Sequence, residues 1–170
     1  MNRRNTLAAI AASLLLLSLA LPAGDAAAQS AKSLVGTYAV VSVTTTDASG
    51  KTTPIFGPNP RGMLIFTPDG RYSLHLMRAG LPKFASKSRL KGSAEENQAI
   101  VGGSISHFGK YTVDEKNKTV TFNVESSTYP NWDGDPQTRP FTLSGGEFKY
   151  KVAAVSGGTG SGEVVWKRIK

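Results

Sequence analysis

The sequence predicts an all-β fold, an antiparallel β-barrel of about 8 to 10 strands with one short helix. Three observations carry this expectation. Apolar residues recur at every second position along most of the chain beyond residue 33, as in Val120, Phe122 and Val124 or Phe148, Tyr150 and Val152, which is the period of a strand with one buried face. Strong turn chemistry such as Pro68-Asp69-Gly70 separates these runs and joins sequence neighbours as hairpins. The chain contains no cysteine, so an exported sheet has no disulfide to staple it, and closing it into a barrel removes the edges it would otherwise present.

Residues 1–28 read as an export signal. Arg3 and Arg4 make a positive start, Leu7 to Leu21 an apolar stretch, and Ala26 to Ala28 a run of small residues suited to a signal peptidase. The apolar stretch is about fifteen residues, shorter than the roughly 20 that span a bilayer, so no integral membrane segment is expected after cleavage. Residues 29–170 then form a single domain, expected in the periplasm or secreted, with Gln29 as its first residue. Losing Arg3, Arg4 and Asp25 lowers the net charge from +8 to +7. Lys83, Lys87, Arg89 and Lys91 concentrate in one loop, but no aromatic-interleaved basic motif accompanies them, and nucleic acid is not an expected partner.

The strands run in order along this domain. Leu34 to Thr46 alternates and is rich in Val and Thr, Asp47 to Gly50 turns it into a short strand at Thr52 to Phe56, and Gly57-Pro58-Asn59-Pro60 breaks the pattern. Gly62 to Thr67 and Arg71 to Arg78 form a second hairpin. Ser93 to Val101 is the helical candidate, with Ser93 as N-cap and Glu96 at the capping-box spacing, placed as a lid or plug over one barrel end. Further strands are expected at Ile105 to Val113, Thr119 to Ser127, Arg139 to Leu143, Glu147 to Ala153 and Glu163 to Ile169.

Parity along these strands picks out the candidate site. Arg78 shares a face with Tyr72, Leu74 and Leu76, and Arg139 shares one with Phe141 and Leu143. An unpaired charge on an interior face is costly. Either each arginine lies at a barrel rim with its head in water or against a surface carboxylate, or it offers a bidentate fork to an anionic group on a ligand. His107 has the inward parity of Tyr111 and Val113, whereas His75 faces outward. With two histidines and no cysteine, no metal site is expected. The Asp133-Gly134-Asp135 loop lacks the spacing of a calcium loop, and no motif for a cofactor, nucleophile or phosphate loop is present.

Leu34-Val-Gly-Thr-Tyr38, Gly62-Met-Leu-Ile-Phe-Thr-Pro-Asp-Gly70, Leu76-Met-Arg78, Phe108-Gly-Lys-Tyr111 and Tyr129-Pro-Asn-Trp132 stand in an order that resembles the bacterial and fungal lipocalin-like domain family across residues 33–169. The resemblance implies a calycin-type barrel with a hydrophobic small-molecule cavity and no generally assigned activity. Gly36-Thr37-Tyr38 is similar to the glycine-x-tryptophan start of the wider lipocalins, with tyrosine for tryptophan and Arg168 as its candidate partner. Phe122 and Asn123 stand where the family often carries adjacent histidines, and His107 where it often has tyrosine, so no acid-base role carries over. Arg78, Pro82, Phe84, Asn131, Trp132 and Arg139 match the family pattern at the mouth. The expected ligand-binding set is therefore Arg78, Phe84, His107, Tyr111, Trp132 and Arg139, taking a small hydrophobic or amphipathic ligand, an anionic one included. The alternative is an isomerase, cyclase or lyase working through His107 and Tyr111, and a structural subunit of an envelope complex is a third reading. Intact mass of the protein recovered from its own host should correspond to a chain beginning at Gln29, and a mass that includes residues 1–28 would rule out cleavage.

Overall fold

Hairpins between sequence neighbours become, in three dimensions, a meander that returns to its own first strand. The computed structural model describes residues 30–156 and 160–170, and the expected signal lies outside them. Its elements are α1 (Ala31–Leu34), β1 (Gly36–Thr46), β2 (Thr52–Pro54), β3 (Arg61–Phe66), β4 (Arg71–Met77), α2 (Ala94–Gly103), β5 (Ser104–Asp114), β6 (Thr119–Ser127), a 3₁₀ turn (Pro130–Trp132), β7 (Pro136–Ser144), β8 (Glu147–Val152) and β9 (Ser161–Arg168). All pairings are antiparallel, in the order β2-β1-β3-β4-β5-β6-β7-β8-β9. β1 also pairs with β9 from Tyr38↔Arg168 to Thr46↔Ser161, so eight strands close the barrel and β2 flanks β1. Nine strands and a short capped helix agree with the sequence expectation.

The boundaries shift where local chemistry intervenes. β1 begins at Gly36 rather than Leu34, because Ser30 caps a short helix by accepting from the Ser33 N–H. Leu34, fully buried at the end of that helix, plugs one end of the barrel. β7 reaches back to Pro136, where the first residue of a strand can be proline because no ladder donor is required of it. β2 stops at Pro54, and Gly57 N–H bonds back to the Pro54 carbonyl in a turn.

Two β-bulges adjust the cylinder, one at Val41 in β1 and one at Glu125 in β6. The second depends on Gly109, opposite the bulge, where a Cβ would collide with the Asn123 carbonyl oxygen and the Glu125 nitrogen. The extra residue leaves β5 in register, so His107, Gly109, Tyr111 and Val113 all keep their inward parity.

Rings fill the barrel from its closed end to its middle. Tyr38, Phe66, Tyr111, Phe122, Phe141, Phe148 and Tyr150 are all buried, with neighbouring centroids 4.7 to 6.1 Å apart. The interior that was expected to hold a cavity is packed solid through this half. Arg168 locks the same end. Its guanidinium donates to the Val35 and Ser33 carbonyls and stacks 4.7 Å above the Tyr38 ring, whose hydroxyl donates to the Leu34 carbonyl at 2.8 Å. Gly36, at φ 147°, leaves the space the guanidinium occupies. The expected tyrosine–arginine closure is thus present. Replacing Arg168 with Met should cost about 3 kcal/mol in urea unfolding, since two charged hydrogen bonds and a cation–π contact are lost together. Lys167→Met, removing an exposed side chain that only caps the Gly145 carbonyl, should change stability by less than about 0.5 kcal/mol; equal effects would show that Arg168 is not the lock.

Candidate functional site

At the other end of the barrel the inner faces turn polar. β7 alternates without interruption, Gln137, Arg139, Phe141 and Leu143 inward and the residues between them exposed, so Arg139 is carried into the interior by the same pleat that buries Phe141. The Gly145-Gly146 turn, both glycines at positive φ, fixes the β7–β8 register with Phe141 opposite Tyr150. Arg139 is then the diagonal neighbour of Tyr150, within reach of a long side chain. On β9, Trp166 faces Phe148, again one diagonal step from Tyr150.

Arg139 is half-buried, and its Nη2 donates to the Gln137 Oε1 at 3.0 Å. None of the described ion pairs includes it. Burial weakens its hold on its proton, partly offset by the neighbouring Tyr150 phenol. Tyr150 is itself pushed up to about 12 by burial, against the pull of Arg139 and Trp166, so it stays protonated at neutral pH. Trp166 is fully buried, and although it lies near enough to the Tyr150 oxygen to exert that pull, its indole Nε1 has no hydrogen-bond partner of ordinary geometry.

His107 sits across the mouth from these groups. Its Nδ1 is 2.8 Å from the Tyr72 hydroxyl, and its ring meets Tyr72 edge-on at 5.4 Å and Trp132 at 5.6 Å. Burial first, then the positive charge of Arg139, hold His107 down to about 4, so the imidazole is neutral at physiological pH. Trp132 comes from the 3₁₀ turn, braced edge-on by Tyr129 at 5.6 Å. Asn131, which matches the family pattern at the mouth, is exposed, and backbone bonds hold the turn, Asp133 N–H to the Pro130 carbonyl and Gly134 N–H to the Val124 carbonyl.

The remaining expected residues lie elsewhere. Tyr111 points inward but towards the closed end, where its hydroxyl faces the Thr67 carbonyl at 3.2 Å and the Ala31 carbonyl at 3.4 Å. The rings of Phe66 and Phe122 stand between it and His107, so the acid-base pairing of His107 with Tyr111 is corrected: His107 pairs with Tyr72. Arg78 falls one residue beyond β4, is exposed rather than interior, and donates to the Ile55 carbonyl at 3.1 Å. It borders an open depression of about 360 Å³ with Glu95, Gln98, Ala99 and Gly102 of α2. Phe84 packs over Gly92 and lines a second open groove, of about 400 Å³, with Lys83, Lys87, Ser88 and Arg89.

α2 has the expected capping box, Ser93 accepting from Glu96 N–H and Glu96 accepting from Ser93 N–H, and the same Glu96 carboxylate accepts from Ala85 N–H at 2.8 Å. One glutamate therefore ties the basic loop to the helix. Val101 and Leu90 remain exposed at 79% and 82%, so these two apolar residues of the segment between β4 and β5 do not pack into the barrel. Tyr72, Gln137, Tyr150 and Trp166 were not among the expected site residues, because parity assigns inward aromatics to the core without showing where their polar atoms point.

Residues 35–169 match a family described as the lipocalin-like domain. The 4'-hydroxy-3'-methoxypropiophenone carrier protein of Aspergillus oryzae is 32% identical over 79 residues, which are 43% of this chain and 71% of that protein.

Protonating His107 opposes folding. Its pKa falls from 6.5 to about 4 on folding, so the stability it allows is complete above the unfolded value and is lost as pH drops from 6.5 towards 4, by up to about 3 kcal/mol. Urea unfolding across this window should show that slope in the native protein and a much flatter one in His107→Gln. An unchanged slope in the variant would assign it to other groups.

Proposed function

The chain belongs to the lipocalin-like domain family, and on that premise we propose that it is an exported, non-catalytic carrier that seats a small amphipathic ligand at the open end of its barrel. Arg139 carries this reading. A guanidinium held on the inner face, half desolvated, with one neutral amide as its partner and no carboxylate among the described ion pairs, is what an anionic or strongly polar ligand oxygen would complete.

On this reading the ligand would take the upper barrel, above the aromatic fill, which favours a compact molecule over a long acyl chain. Trp132, His107 and Phe122 would contact its apolar part. The fungal relative, named for carrying an aromatic hydroxyketone, supports a ring bearing polar oxygens. Arg78, exposed and engaged by the Ile55 carbonyl, would not read the ligand's polar group. Export to the periplasm or medium is part of the proposal, since a cysteine-free barrel needs no oxidative folding to work there.

Replacing Arg139 with Met retains most of the stem's packing. Affinity for an aromatic carboxylic acid should fall by about 1.5 to 3 kcal/mol, while affinity for the matching alcohol hardly changes. Arg78→Met should leave that discrimination intact. Titration of acid and alcohol by tryptophan fluorescence separates the cases, and equal loss for both ligands in Arg139→Met would defeat the reading.

A further inference from the structure

From Trp166 towards the open end the donors outnumber the acceptors, and this names the chemical form of the ligand more narrowly than the carrier reading on which it rests. Tyr150, buried in the wall, has Arg139, Trp166 and the Tyr72 phenol as its polar neighbours. Arg139 and Trp166 are donors only. The Tyr150 hydroxyl can accept from them, but its own proton has nowhere to go on either, and no acceptor for it occurs among the described hydrogen bonds. The indole Nε1 of Trp166 is sealed and unpartnered. Arg139 uses one nitrogen on Gln137 and has further N–H groups to give.

The other polar groups here are each engaged at least once. Tyr72 on β4 and His107 on β5 share one hydrogen bond at 2.8 Å, which leaves one acceptor on the pair, the phenol oxygen or the second imidazole nitrogen according to the tautomer. Glu125 on β6 lies on the outer face, 3.0 Å from Arg71. On β7, β8 and β9 the inward polar groups apart from Arg168 at the closed end are Gln137, Arg139, Tyr150 and Trp166, and the Gln137 carbonyl accepts from Arg139.

We propose that the barrel binds weakly acidic phenols as phenolates, with the ligand oxygen seated between the Arg139 guanidinium and the Tyr150 hydroxyl. The phenolate accepts from both, which gives Tyr150's proton its acceptor and leaves the Tyr150 oxygen to face the Trp166 indole. The phenol's proton leaves to bulk water on binding, so no bond within the ligand other than O–H is broken. A positive charge and an aligned hydroxyl in a partly desolvated site favour the ionised ligand over its neutral form.

The experiment uses 4-nitrophenol, whose ionisation is visible in its absorbance, and 4-nitroanisole, which cannot ionise. With the protein purified from its host, bound 4-nitrophenol should ionise about one pH unit lower than in buffer, a tenfold fall in proton affinity, and 4-nitroanisole should bind at least tenfold more weakly at neutral pH. Tyr150→Phe, nearly isosteric, should reduce the shift, and Arg139→Met should abolish it. If 4-nitrophenol binds with an unshifted midpoint, or if Tyr150→Phe keeps the whole shift, the phenolate site is wrong while the carrier reading stands. If neither probe binds at millimolar concentration, both fall together.

Discussion

Pairing of the first strand with the last is the constraint on which the rest of this molecule depends. β1 is eleven residues long and serves β9 along nearly its whole length, β3 at its start and β2 at its end, so breaking it would open three ladders at once. Without disulfides, the seam is held by hydrogen bonds and by Arg168, whose guanidinium binds backbone carbonyls of the segment that precedes β1. Once the seam is closed, every inward parity converges on one axis. The large rings then stack at the sealed end under Leu34, and polar heads are tolerated only near the opening, where water or a ligand can meet them.

That constraint explains how much was legible in the sequence. Strand count, the second hairpin, the capped helix and the Tyr38–Arg168 closure come from period, turn residues and a single family signature. Parity also placed Arg139 and His107 on inner faces. It failed at Arg78 because parity has meaning only inside a strand, and β4 ends one residue earlier at Met77. It also paired His107 with Tyr111, since same-face residues along one strand look adjacent in a linear sequence while the barrel assigns them to opposite ends. The cross-strand partners, Tyr72 and Tyr150, needed the registers. One of those was within reach, because a Gly145-Gly146 two-residue turn sets Phe141 opposite Tyr150 and hence Arg139 beside it.

The same geometry weighs carrier against catalyst. A general base works best with a pKa near the operating pH, whereas burial and Arg139 press His107 down to about 4. Its Nδ1 is engaged by Tyr72, which burial keeps firmly protonated. A neutral imidazole wedged between Tyr72 and Trp132 suits shaping an aromatic wall better than taking a proton from carbon. Arg139 makes this arrangement self-consistent: the cation that would read a ligand's negative oxygen also keeps a second positive charge from forming nearby.

An orphaned buried donor typically costs about 1 to 3 kcal/mol, and a charge held half out of water adds to that. Trp166 Nε1 and Arg139 both stand in the wall of a barrel whose closed half is otherwise well satisfied, Tyr38, Tyr111 and Arg168 each spending their donors on named carbonyls. A core selected for stability alone would place Phe or Leu at these positions. The donors around Leu34 are satisfied, whereas those without a described acceptor begin at Trp166, opposite Phe148, and continue through Tyr150 to Arg139. On the carrier reading, a ligand oxygen that met these donors would return part of that cost, and occupancy would couple to folding through the same few residues.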